Sequence, residues 1–307
     1  MNLRKSAGRT ESSLGDLGED RLLQQITERL SRNSSVVLGA GDDCALLRFG
    51  AEEKLLVLKT DCVVEGVHFT SAAQPAAVGW KAMARPLSDF AAMSAVPGSA
   101  LVTLIAPAET PATWVRQLYR GLNKAATAFG VAIVGGETSR TAGALAVSVS
   151  MTGTVEADRW VGRAGGKAGD ELFVTGRLGG SLGGRHLSFT PRIAESRWLT
   201  ENTAVRAMMD VSDGLGADLP RLAAASGLDF QLDEAALPRH RGCSIEQAIG
   251  DGEDYELLFA VAPDDAAELQ RKWRRKFPKL PLTRIGRLTP KAKSGMRKIA
   301  RGYVHFQ

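Results

Sequence analysis

Cysteine and histidine are scarce in this chain of 307 residues: three Cys (Cys44, Cys62, Cys243) and four His (His68, His186, His240, His305). The cysteines are odd in number and form no C-x-x-C pair, which argues against a disulfide framework and a structural zinc site and predicts reduced, mostly buried thiols. No two histidines stand at H-x-x-x-H or H-x-H spacing, which argues against a histidine-built metal centre. No stretch approaches the roughly 18 uninterrupted apolar residues of a membrane span. Residues 1–20 have a basic start but no apolar core, so they read as a polar arm rather than a secretion signal, and the expectation is a soluble, cytoplasmic protein. Acidic residues are missing after Glu268, where thirteen Lys or Arg follow, so the net charge of +5 conceals a body of 26 basic and 34 acidic residues. "RKWRRKF" is either a nucleic-acid patch or one solvated helix face with Trp273 and Phe277 on its apolar side; the second reading is preferred, and nucleic acid is not an expected partner.

What is present is ordinary globular composition, 44% hydrophobic and 24% charged, at a length that fits two domains. "DLGEDRLLQQITERL" predicts an amphipathic helix from about Gly18, and "VVLGAGDDCALLRF" a strand, a turn and a strand. "KLLVLKTDCVV" predicts a strand ending at Asp61. "PAAVGWKAMARPLSDFAAMSA" is helical in pattern, but Pro86 predicts a break into two helices, with Ser88 and Asp89 near the start of the second. "VAIVGGETSRT" predicts a strand running into a glycine turn that carries Glu137. The chain becomes glycine-rich after "ALAVSVSMTGTV", which places a domain boundary near residues 153–158, hence domains 1–155 and 156–307. Strands and helices alternate in both halves, which indicates α/β or α+β architecture.

The acidic residues at turns and strand ends are Asp42, Asp43, Asp61, Asp89, Glu137, Asp210 and Asp213. Singly, each is a turn-former or helix cap. Gathered in a fold they would repel one another and either raise their pKa values or bind cations; such hard oxygen ligands suit Mg²⁺, which shares its ligands with substrate phosphates. The glycine runs are less specific. "GRAGGKA" has Val161 where a Walker A loop has its first glycine and Ala168 after the lysine, and "GAGDDC" has Cys44 in place of the third glycine of a dinucleotide fingerprint. "GRLGGSLGG", Gly176–Gly184, is either a phosphate-approaching loop or merely a flexible one.

Taken in order, "GAGDDCALL", "LKTDCVVEGVHF", "GWKAMARPLSDFAAMSA", "VGGETSRT", "GRAGGKAGDELFVTG", "RHLSFTPR", "DVSDGLGADL" and "GEDYELLF" resemble the successive motifs of the thiamine-monophosphate kinases, within the aminoimidazole-ribonucleotide synthetase (PurM-like) superfamily. The resemblance implies a two-domain fold, an N-terminal sheet domain that pairs with its copy in a homodimeric barrel and a C-terminal α+β domain. It implies ATP-dependent phosphoryl transfer onto thiamine monophosphate with several Mg²⁺ ions. Position by position, it makes Asp43, Asp61, Asp89, Asp210 and Asp213 metal ligands with Thr60 beside them, Asp42 in the same turn and Glu137 at the family's aspartate. Gly136, Arg163 and Ser212 match ATP contacts, and His68 and Glu253 match contacts to the thiamine substrate. The departures are Glu137 itself, Pro86 in place of asparagine, Ala300 in place of an aromatic residue, and "GDG" at Gly250–Gly252. They leave open a superfamily enzyme with another acceptor, or a catalytically impaired nucleotide-binding regulator.

Overall fold

In the computed structural model, which describes residues 13–31, 33–50, 53–291 and 302, the chain forms two sheets joined through one buried helix. In chain order the first half contains α1 (Leu14–Leu17), α2 (Glu19–Thr27), β1 (Val36–Leu38), β2 (Ala45–Arg48), β3 (Lys54–Val64), α3 (Pro75–Ala92), β4 (Val96–Ala106), α4 (Ala112–Ala128), β5 (Ala132–Arg140) and β6 (Ala146–Glu156). Its sheet has the order β1-β2-β3-β6-β4-β5, antiparallel except for β4 beside β5. Alternation decides the faces. Leu55, Val57 and Val63 of β3 and Val147, Val149 and Met151 of β6 turn inward onto α3 and α4, while Thr60, Ser150 and Leu101 line the opposite face, which among the described residues is left uncovered.

The second half contains β7 (Glu171–Thr175), α5 (Ile193–Asn202), β8 (Val205–Asp210), α6 (Leu215–Ala225), β9 (Asp229–Leu232), α7 (Ile245–Gly250), β10 (Leu257–Val261), α8 (Pro263–Lys276) and β11 (Leu282–Thr289). The sheet order is β8-β10-β7-β11-β9, antiparallel throughout. Here both faces are covered: Leu172, Val174 and Leu258 pack with α6 and α7, and Phe173 and Phe259 pack toward α5 and α8. Strands buried on two sides need continuous apolar sequence, which is why β10 reads "LLFAV" without alternation. Trp273 of α8 is buried with its Nε1 donating to the Leu280 carbonyl, while Arg271 and Lys272 pair outward with Glu268. The basic run is therefore the solvated face of an amphipathic helix. Residues 292–301, with Ala300, and residues 303–307 lie outside the described set. No helix among the described residues is long and apolar enough to cross a membrane.

Three expectations are corrected. Pro86 does not split the helix: α3 runs unbroken from Pro75 to Ala92. Almost every residue from Val78 onward is buried, so packing on all sides outweighs one missing N–H and its ring clash. Strand β3 does not end at Asp61 but continues to Val64, because β6 offers partners along its whole length. Glu137 is not in a turn but within β5, paired in register with Thr103.

Helices α3 and α4 cross at a glycine pair. A Cβ on Gly79 would lie 2.0 Å from the Leu118 carbonyl oxygen, and one on Gly121 would lie 1.9 Å from that of Ala76. Only hydrogen fits at either position. Gly121→Ala forces the two backbones apart and is expected to cost about 3 kcal/mol or more; chemical denaturation that finds Gly121→Ala as stable as the parent chain contradicts this account of the crossing.

Candidate active site

The turn after β1 holds Asp42 and Asp43, and their roles separate. Asp42 organises the backbone: its Oδ1 accepts the Asp43 N–H at 2.9 Å and its Oδ2 the Arg163 N–H at 3.0 Å, fastening the "GRAGGKA" loop of the second half to the first. Asp43 faces inward, almost fully buried, beside Asp89 of α3 and Asp210 at the end of β8. One carboxylate oxygen from each of these three lies within 4.8 Å of the others. Asp61 points to the same side from β3, with the Arg85 guanidinium 3.5 Å from its Oδ1 and Lys59 Nζ 3.9 Å from its Oδ2. Lys59 reaches Asp89 Oδ1 at 3.0 Å, Arg163 reaches Asp43 Oδ1 at 2.5 Å, and Ser88 Oγ donates to Asp210 Oδ2 at 2.6 Å. Ser212 and Asp213 line the same cleft, of about 540 Å³, and Asp213 pairs with Arg221.

Burial sets the electrostatics. It raises the carboxyl of Asp89 well above the usual range, against the pull of Lys59. Asp210 is pushed up to about 7 by burial and by Asp43, with the Ser88 hydroxyl opposing. Asp61 goes the other way: burial disfavours its charge, but Lys59 and Arg85 more than offset that and hold it below the ordinary value. Asp43 Oδ2 and Asp61 Oδ2 are buried without a hydrogen-bond donor, and Arg163 Nε is buried without an acceptor. Orphaned oxygens beside mutually repelling carboxyls fit a hard divalent cation, and an unmet guanidinium N–H in the same cleft fits an anionic oxygen.

His68 and Glu253 meet at the other end of the junction. His68 Nδ1 accepts the Val64 N–H at 3.1 Å. Its carbonyl and both Glu253 oxygens receive Lys81 Nζ, a side chain with no exposed surface. Two expected members stand apart within one chain. The Thr60 hydroxyl turns to the uncovered face, 3.0 Å from Ser150 Oγ, so it is not among the carboxylates. Glu137, with Gly136, is exposed on edge strand β5, three strands from β3 and thus roughly 14 Å across the sheet. In the glycine run Gly176–Gly184, the N–H groups of Gly179 and Gly180 are taken by Asp254 and Asp251.

Sequence reading misses Lys59, Lys81, Arg85 and Ser88. The signal existed: residues 81, 85, 88 and 89 fall at i, i+4, i+7 and i+8, one face of a continuous helix. A break at Pro86 conceals it.

Residues 41–155 match the model of the AIR synthase related protein N-terminal domain, and residues 184–299 that of its C-terminal domain. The chain is 39% identical to the thiamine-monophosphate kinase of Rhodopirellula baltica, covering 88% of this chain and 89% of that one. It is 32% identical to the thiamine-monophosphate kinase of Bacillus subtilis, covering 95% and 100%. Among solved structures, AaThiL complexed with AMPPCP and TMP superposes with a TM-score of 0.83 at 32% identity, covering 97% of this chain and all of the other. With both domain models matched in order and nearly full-length similarity to these relatives, the chain belongs to the thiamine-monophosphate kinase family of AIR synthase related proteins.

Proposed function

We propose that this chain transfers the terminal phosphoryl group of ATP to the phosphate of thiamine monophosphate, giving thiamine diphosphate. The observation that carries the reading is the buried convergence of Asp43, Asp89 and Asp210 at the domain junction, in a fold matching a relative solved with an ATP analogue and TMP. Two phosphate-bearing substrates crowd negative oxygens together, and the reaction needs them close and in line. Mg²⁺ held by Asp43, Asp61, Asp89 and Asp210 would supply charge neutralisation and orientation there. Arg163, anchored through Asp43, offers its unmet Nε–H to a phosphate oxygen. The acceptor is already an ionised oxygen, so no strong general base is required, and none of these residues is assigned that role.

We also infer a homodimer. The outer face of the first sheet carries Leu101, 49% exposed, and Val134, 63% exposed, beside Leu58. A second copy seated on that face covers this apolar surface, and it brings the edge strand bearing Gly136 and Glu137 into a shared interface.

Incubation with ATP, Mg²⁺ and thiamine monophosphate yields thiamine diphosphate, and Asp89→Asn lowers kcat by about 100-fold or more, since it removes one member of the buried carboxylate cluster. No product from the parent chain rejects the reading. Because Asp210 sits near 7 and Asp89 is raised, bound Mg²⁺ must displace protons at neutral pH. Metal affinity should therefore increase as pH rises through about 7, and calorimetry in buffers of different ionisation enthalpy should register proton release; a buffer-independent heat would contradict it. Sedimentation should give a dimer that Val134→Asp converts to monomer, and a monomeric parent chain refutes the proposed assembly.

A further inference from the structure

Lys81 lies one turn ahead of Arg85 on the same face of α3, yet the carboxylate cluster makes no use of it. Its ammonium donates to Glu253 Oε1 and Oε2 at 2.7 Å each and to the His68 carbonyl at 2.6 Å, and the side chain is 0% exposed. These contacts occupy all three of its N–H donors. An ammonium is expensive to enclose unless it is fully paired, and packing alone would be served as well by methionine. The residues it joins come from different domains: His68 follows β3, and Glu253 precedes β10. Glu253 sits at φ +53° and Tyr255 at φ +53°, a left-handed backbone that non-glycine residues keep only when their surroundings hold them. That loop is pinned further by the Glu253 N–H to the Ser212 carbonyl at 2.7 Å and the Tyr255 N–H to the Val211 carbonyl at 2.8 Å.

We propose that Lys81 is a positioning residue for the phosphate acceptor, fixing the Glu253 carboxylate and the His68 turn as one preformed unit across the domain junction. The inference rests on the phosphoryl-transfer reading for the acceptor's identity and on the family resemblance for placing His68 and Glu253 against that acceptor. Glu253 then meets the substrate as an oriented, already neutralised group rather than as an open counter-charge. Its Oε1 accepts from both Lys81 and the Tyr255 hydroxyl, and its Oε2, which accepts from Lys81 alone, keeps a lone pair for the ligand. Around Lys81 stand Glu253 and His68, Arg85 along its own helix, and, behind Glu253, the Tyr255 hydroxyl from the second domain, which donates to Glu253 Oε1 at 3.4 Å. Burial, opposed by Glu253 and reinforced by Arg85, brings the Lys81 ammonium down to about 8. The charge that locks Glu253 is thus present below that pH and lost above it.

The test is steady-state kinetics on the full chain, with thiamine monophosphate and ATP varied separately. Lys81→Met is expected to raise KM for thiamine monophosphate about tenfold to a hundredfold while KM for ATP moves less than about twofold. Placed in a Glu253→Gln chain, the same substitution adds little, because both changes disable one unit. In the parent chain KM for the acceptor should rise between about pH 7 and 9, and in Lys81→Met that rise should vanish. Equal effects on both substrates, or independent effects of the two substitutions, overturn the proposal. If Lys81→Met does not fold, the parent pH profile decides, and a flat acceptor KM overturns it. A parent chain that forms no thiamine diphosphate rejects the phosphoryl-transfer reading instead, so the two failures are distinguishable.

Discussion

The cost of bringing carboxylates out of water is the constraint around which this molecule is arranged. Asp43, Asp89 and Asp210 are nearly inaccessible and close enough to repel one another, an arrangement that a fold tolerates only with compensating charge nearby. Lys59, Arg85 and Arg163 provide part of it, each from a different element, and Ser88 adds a hydrogen bond to Asp210. The compensation is incomplete. Two buried oxygens and one guanidinium N–H remain unmatched, and they are the atoms a cation and a phosphate would satisfy. Stability is set against function here in an intelligible way, since the features that make the cleft costly to build are those that prepare it for charged ligands.

Helix α3 is what makes the arrangement possible. It packs on the first sheet through Phe90 and Leu87, lies against α4 through the Gly79 and Gly121 contact, and enters the core of the second half at Ala91. Ser196 Oγ donates to the Ala91 carbonyl at 2.5 Å, and Arg197 grips both the Ser94 carbonyl and Glu156. Because the helix is rigid and enclosed, its residues Lys81, Arg85, Ser88 and Asp89 are delivered to the junction at fixed spacing. Lys81 works toward Glu253 at one end, and Asp89 toward Asp43 and Asp210 at the other.

Much of this was readable beforehand. The period-two pattern of "ALAVSVSMTGTV" and the apolar run "LLFAV" mark strands whose faces differ in exposure, and the turn aspartates stood out because paired negative charge between apolar segments has few uses. What misled was local propensity applied where burial overrides it. A proline in an exposed helix would end it, but in α3 the surrounding side chains hold the helix together, and the break assumed at Pro86 hid the lysine, the arginine and the serine that share a face with Asp89. Likewise the glycines before Glu137 suggested a turn, whereas pairing with β4 keeps them extended in a strand.

The sequence by itself determined the two-domain α/β and α+β character and the roster of carboxylates, because hydrophobic period, residue type and motif order are properties of the chain. It also named Arg163, His68 and Glu253. Only the tertiary structure decided which carboxylates converge, that Thr60 and Glu137 stand apart within a single chain, and that Lys59 and Lys81 are interior partners of the site. Those outcomes depend on strand register and on which face of a buried helix meets which domain. Contacts between residues far apart in the chain leave no local trace in composition or spacing.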